Sequence, residues 1–376
     1  MANQEESNYE DINGLPNNPG VVANEERTEL PISSICVLAN GDIVYCSFIL
    51  SDVRILCKAD GSLKILEGHT DRVTSVCTLD TPDRPDLQRI VSGSEDGRIR
   101  VWDPTSSTCL QVLEGYDGGV ATVSTVVTPE GQCIVSGLDD YRLRVWKSVN
   151  GESLRYLYGH SNSVLSVCSL MNDMIASGST DNTVRVWNPV TGKCLRVLNG
   201  HTGGVNSVCS LMNGMIASGS ADMTVRVWDS TSGECLKILA GHTSVISAVC
   251  ALPISEGESH IVSASHDNTL RIWNPSNGGC LRVLRGHTNL VTCVCLVITS
   301  EGPQILSGSI DGTLRFWHPI SGRCIMFIDA LTGIAEASNS NDPAPSMGGR
   351  LQKRKKTKKN LRSVKKFSKR KYKNRR

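Results

Sequence analysis

From residue 30 to residue 330 the chain alternates short apolar runs with short polar breaks, and no run approaches the length of a membrane span. Segments such as SVLSVCSL, MIASGS and TVRVWN are about six residues long and rich in β-branched or small side chains. Breaks of the type TDN, EDG and IDG separate them, which is the chemistry of tight hairpin turns. A fourth apolar segment of the form CLRVL follows an Asn-Pro or Ser-Gly turn. Four antiparallel strands per unit are predicted, hence an all-β fold. Runs such as SVCSLM lack polar alternation, so the inner strands should be covered on both faces.

The pattern recurs in register. All six tryptophans share one phase: Trp102, Trp146, Trp187, Trp228, Trp273 and Trp317, at intervals of 44, 41, 41, 45 and 44 residues. Six residues before each stands an Asp (Asp96, Asp140, Asp181, Asp222, Asp267, Asp311). Four residues before each Asp stands a Ser (Ser92, Ser136, Ser177, Ser218, Ser263, Ser307). A Gly-His pair opens five of the six units, at His69, His160, His201, His242 and His287.

A period of this length, with Gly-His near the start and Trp-Asp near the end, resembles the WD40-repeat β-propeller family over residues 31–330. The dipeptide is Trp-Asp only at Trp102 and Trp228; the others are Trp-Asn, Trp-Lys or Trp-His. The resemblance implies a seven-bladed β-propeller over 30–332, with six WD repeats in 68–330 and a degenerate blade in 30–67. That first blade has ICVLANGDIVYC, VRILC and SLKIL in the right places, but it lacks Gly-His and has Leu56 at the Trp position. Six blades and an unusual N-terminal strand is the alternative. Residues 1–29 are expected to be a disordered acidic segment, and 333–376 a disordered linker and basic tail.

A Trp buried between blades must place its indole N–H, and the strand Ser is the nearest partner. The resemblance implies the rest: Ser bonds His, and His bonds the turn Asp. Five complete tetrads are expected: His69, Ser92, Asp96 and Trp102; His160, Ser177, Asp181 and Trp187; His201, Ser218, Asp222 and Trp228; His242, Ser263, Asp267 and Trp273; His287, Ser307, Asp311 and Trp317. Ser, His and Asp also make a hydrolase triad, but here they recur five times where catalysis needs one. The repeat histidines fall on different blades, so no metal site is expected, and no catalytic residue, cofactor or small-molecule substrate. The second repeat reads EGYDGGV, with Tyr116 where His belongs. Its Ser136 and Asp140 are expected to lose the imidazole bridge, leaving that blade the least rigid.

Fifteen cysteines are present; ten lie in repeat register, eight residues after a His or seven after a Trp. They read as small buried apolar residues in a reduced intracellular compartment, not as a disulfide frame.

In relatives the top face is lined by positions three and five after the His and one before the turn Asp. Carried over, these give the candidate partner-binding residues Arg72, Glu95, Asp139, Leu165, Val245, His266, Leu290 and Ile310. The full set is mostly small and uncharged, without the Arg ring of a phosphopeptide reader. Val245, Leu290 and Ile310 are expected to form an apolar patch beside His266.

Charge divides the chain sharply. Residues 343–376 hold 16 Lys/Arg and no acid, so the remainder carries 23 basic against 37 acidic residues, a balance of −14. The run KRKKTKK is the candidate nuclear localisation signal, through Lys353, Arg354, Lys355, Lys356, Lys358 and Lys359. An import receptor is its expected partner, and RNA the alternative one. The leading expectation is a non-enzymatic scaffold binding proteins on the propeller's top face in the nucleus or nucleolus. The alternatives are an RNA-associated factor, as in ribosome assembly, and a ubiquitin-ligase substrate receptor. Against the last, residues 1–29 are short for an F-box and no repeat has Arg two residues after its Trp-Asp position. No membrane association is expected, since the tail lacks a lipidation site or amphipathic helix.

Overall fold

Each unit folds into the sheet its turns dictate. The computed structural model describes residues 29–81, 87–114, 118–255 and 257–337. Residues 1–28 of the acidic N-terminal segment, Tyr116, and the tail from residue 338 with all six candidate localisation residues lie outside them. The described chain forms seven antiparallel sheets, each with its strands hydrogen-bonded in sequence order, a seven-bladed β-propeller. Blades are numbered here in chain order.

Blade 1 is complete despite its missing signature: Ile32–Val37, Ile43–Ser47, Val53–Leu56 and Leu63–Leu66 pair in that order. Blade 7 has a fifth strand, Ala335–Ala337, paired to the outer strand Cys324–Asp329. That strand lies beyond residue 332, where the sequence places the end of the propeller; Ala-Glu-Ala has no apolar run to mark it.

The core is not central. Seven apolar clusters each bridge two neighbouring blades, so each blade is held through its two faces. All six Trp are among the largest fully buried side chains, 0–2% exposed.

A second device locks the blades at their inner ends. In every innermost strand the register slips by one residue, a β-bulge at Ser33, Thr74, Ala121, Leu165, Asn206, Ser247 and Thr292. A bulge re-aims its extra side chain. Five of the seven donate to a backbone carbonyl of the next blade: Ser33 to Val73 (3.1 Å), Thr74 to Val120 (2.6 Å), Asn206 to Ile246 (2.9 Å), Ser247 to Val291 (2.6 Å) and Thr292 to Ile32 (2.6 Å). Ala121 and Leu165 have no polar group with which to do so.

The repeat cysteines depart from the buried reading. None forms a disulfide, and the ten in register are partly accessible, with Cys280 exposed. The reason is position: one set lies on innermost strands and the other on outer strands, neither of which is sandwiched along its whole width. Burial still pushes the Cys77, Cys168 and Cys250 thiols up to about 12.

Candidate partner-binding face

The tetrads form one directed chain of hydrogen bonds. An indole N–H can only donate, and Trp187 Nε1 gives its proton to Ser177 Oγ at 2.8 Å. Ser177 Oγ and His160 Nε2 are 2.7 Å apart, and His160 Nδ1 lies 2.7 Å from Asp181 Oδ2. Burial keeps His160 below its usual value despite Asp181, so the ring is neutral. Ser177 therefore donates to Nε2, and Nδ1–H donates to the carboxylate. Burial alone would raise Asp181; the bonds from His160, Thr183 and the Ser161 amide outweigh it and hold the carboxyl well below the usual range. Blades 2, 5, 6 and 7 repeat this geometry, with ring-nitrogen contacts of 2.7–2.8 Å.

No nucleophile is on offer in such a chain. The tetrad serines are fully buried, and each accepts from a Trp and bonds a His. The Gly of Gly-His belongs to the same packing: a Cβ on Gly159 would stand 2.6 Å from Arg185 Nη1 and 3.2 Å from Trp187 Cη2.

In blade 3 two guanidinium groups lie over aromatic rings. The Arg144 carbon centre sits 3.8 Å from the centroid of the Trp146 ring, against 5.8–6.0 Å for Arg100, Arg185, Arg226 and Arg271 over their tryptophans. Trp146 still donates to Ser136, at 3.1 Å. Asp140 is ion-paired with Arg142, whose guanidinium also covers the Tyr156 ring.

What the tetrads hold in place is the surface at one end of the ring. In an antiparallel four-stranded blade, the entry to the innermost strand and the turn between the second and third strands share that end. There a backbone bond joins the residue before the turn Asp to the residue three after the His, in every blade. Glu95 N–H donates to the Arg72 carbonyl at 3.0 Å, His266 to Val245 at 2.9 Å and Ile310 to Leu290 at 3.0 Å. Asp139 donates to Gly119, Thr180 to Ser163 and Ala221 to Gly204. Blade 1 makes the same bond, Phe48 to Pro31 at 3.2 Å. Seven two-residue pairs thus face one way.

Their chemistry is divided by sector. Blades 6, 7 and 1 present Val245 with His266, Leu290 with Ile310, and Pro31 with Phe48, all half-buried. Blade 2 presents an ion pair, Arg72 Nη2 to Glu95 Oε2 at 2.7 Å. Blade 3 presents the exposed Asp139. Blades 4 and 5 present hydroxyls and small groups, Ser163 with Thr180 and Gly204 with Ala221. Leu165 is not part of this ring of pairs: it is the bulged residue of blade 4, half-buried beside blade 5. The position five after the His belongs mostly to the inter-blade ties. Pro31 and Phe48 escape a count from the His because blade 1 has none; alignment of the Ile32–Ser47 pairing with Val73–Ser94 locates them.

At the other end of the ring, between blades 6 and 7, lies a cleft of about 400 Å³ with walls including Leu252, Ile254, Leu281 and Ile320. Among the described residues no group of His, Cys, Asp or Glu is placed to hold a metal ion, and no helix is long and apolar enough to cross a membrane.

The repeat described as "WD domain, G-beta repeat" matches residues 60–103, 107–147, 151–188, 192–229, 233–274 and 278–318, more than half of the chain. Each match runs from the outer strand of one blade to the third strand of the next, so the first three strands of blade 1 are left unmatched. Among individual proteins, the chain is similar to the F-box/WD repeat-containing protein 7 of Drosophila melanogaster, 39% identical over 57 residues. It is also similar to the WD repeat-containing protein pop1 of Schizosaccharomyces pombe, 45% identical over 58 residues. Each alignment covers 15% of this chain, and 4% and 7% of the relatives' own lengths.

Proposed function

The chain belongs to the WD40-repeat family, and from that premise we propose that it is a non-enzymatic scaffold whose partner proteins dock on the ring of residue pairs. The observation that carries this is the sector of Val245, Leu290, Ile310, Pro31 and Phe48, half-buried apolar residues brought to one end of three successive blades. Clustered apolar side chains that reach the surface mark partner sites. The tetrads' own polar groups are spent inside the blades, so they stiffen the face without taking part in recognition.

The basic tail is proposed as a nuclear or nucleolar address. Lys353 to Lys359 form a cationic run that an acidic import receptor would read without help from the blades. Residues 343–376 fused to a fluorescent protein should accumulate in the nucleus, and a diffuse fusion would sink the address.

A second reading, an RNA-associated factor, is favoured by the tail alone: 15 of the 24 residues from 353 to 376 are basic. Affinity purification of the full chain with and without RNase separates the two. Partners that survive RNase support the scaffold; loss of nearly all of them supports the RNA reading. The name of the fly relative raises a third, a substrate receptor carrying an F-box. That match spans 4% of the relative and gives this reading little weight.

A further inference from the structure

We infer that the partner segment recognised by this face carries an apolar anchor next to a Lys or Arg, the anchor seated over blades 6, 7 and 1 and the cation drawn to Asp139 beside Glu95. The inference rests on the reading above that the ring of pairs is a docking face, and adds the chemistry of what docks.

Charge complementarity carries it. Blades 2 and 3 place carboxylates side by side. The point where a Gly119 side chain would begin lies 2.7 Å from Asp139 Oδ2 and 3.4 Å from the Glu95 Cα. Glu95 is ion-paired with Arg72, and Asp140 with Arg142. Among the described residues Asp139 makes no ion pair, although it is exposed. The protein crowded around its carboxyl, then the negative Glu95 and Asp140, push Asp139 above the usual carboxylate range. An uncompensated anion of this kind attracts a cation, and Gly119 supplies no side chain to obstruct one.

Sector order fixes the rest. Going round the ring, the apolar pairs of blades 6, 7 and 1 lead directly into the Arg72–Glu95 pair of blade 2 and then Asp139 of blade 3. Blades 4 and 5 offer only Ser163, Thr180, Gly204 and Ala221, with neither charge nor bulk. A segment lying on this face gains from a large apolar group at one end and a positive one at the other. It gains nothing from phosphate at blade 3, where the uncompensated Asp139 would repel it.

The test is selection of a random 12-residue peptide library on the full chain, followed by affinity measurement of the enriched peptides. Enriched sequences should pair an aliphatic or aromatic residue with Lys or Arg, and Asp139→Asn should weaken them about fivefold or more. Changing the peptide's Lys to Glu should abolish binding to the native chain and restore it on Asp139→Lys. Thermal midpoints show that the variants are folded. Enriched peptides that lose affinity with Val245→Ser, Leu290→Ser and Ile310→Ser together, yet are indifferent to Asp139→Asn, overturn this inference and leave the docking face standing. If no enriched peptide responds to the triple change, the docking face itself falls, and this inference with it.

Discussion

The hydroxyl of Tyr45 donates to the backbone carbonyl of Ala330 at 2.7 Å, across 285 residues of chain. Tyr45 takes the place in blade 1 that the tetrad Ser holds elsewhere, since the Ile43–Leu56 pairing corresponds to Ile90–Trp102. Its ring is fully buried in the cluster that joins blade 7 to blade 1, with Leu30, Ile32 and Leu56 on one side and Leu306, Leu314 and Ile328 on the other. Blade 1 thus replaces an internal polar network with a latch to its neighbour. Thr292 to the Ile32 carbonyl adds a second tie at the same seam.

Tyr45→Phe keeps the ring and removes the latch. It should cost about 1–2 kcal/mol, the loss of one buried hydrogen bond with a stranded carbonyl. Tyr45→Ala should cost about 3–5 kcal/mol through the cavity. Urea titration measures both, and an unchanged stability for Tyr45→Phe would mean that the hydroxyl contributes nothing to ring closure.

Trp187→Ala should cost about 3–5 kcal/mol, because it opens a cavity between blades and strands Ser177 and His160. Trp146→Ala should cost less. Its blade has no imidazole chain to break, and Arg144 can settle onto the apolar wall vacated by the ring it now covers. Denaturant titration of the two variants checks the ranking, and a larger loss for Trp146 would reverse it.

Acid should unfold the propeller from an unusually high pH. Burial lowers His69, His160, His201 and His287 in the fold below the ordinary 6.5. The unfolded chain takes up these protons near pH 6.5 while the folded chain does not. Stability is therefore full above that pH and falls as the pH drops through it. Each histidine contributes up to about 1.4 kcal/mol per pH unit below 6.5, until its folded value is reached. The tetrad aspartates add a second acid limb: burial would raise Asp222, but Thr224, His201 and the Thr202 amide together hold it at about 2. Stability measured by urea titration should be lower at pH 5.5 than at pH 7.5, and His160→Asn should flatten the slope. A pH-independent stability over that interval would contradict the neutral-imidazole chain.

Much of this fold is legible from side-chain spacing because the repeated devices are local. Ser177 and Trp187 are ten residues apart on paired strands, and His160 and Asp181 are both set by one short hairpin. Blade 1 is harder to read because its satisfaction is distant: Tyr45 answers to Ala330, and Leu56 asks for no polar partner at all. The inter-blade ties are invisible without register. Thr74 and Thr292 differ in no obvious way from other strand threonines until the bulge turns them toward the next blade. For the same reason Pro31 and Phe48 lie hidden in the sequence, and Leu165 looks like a face residue. In blade 3, Tyr116 marks a departure from the repeat, but nothing in the spacing announces the close stacking of Arg144 on Trp146.

The most direct test of the docking face is the triple change Val245→Ser, Leu290→Ser and Ile310→Ser in the full chain. Partners recovered from RNase-treated cells should be quantified beside the native chain and a Ser163→Ala, Thr180→Ala control on blade 4. With the thermal midpoint unchanged, the account predicts that at least one protein partner falls about fivefold or more with the triple variant and is retained by the control. Full retention of every partner by a folded triple variant would contradict it, as would unfolding of that variant, which would place these residues in the core.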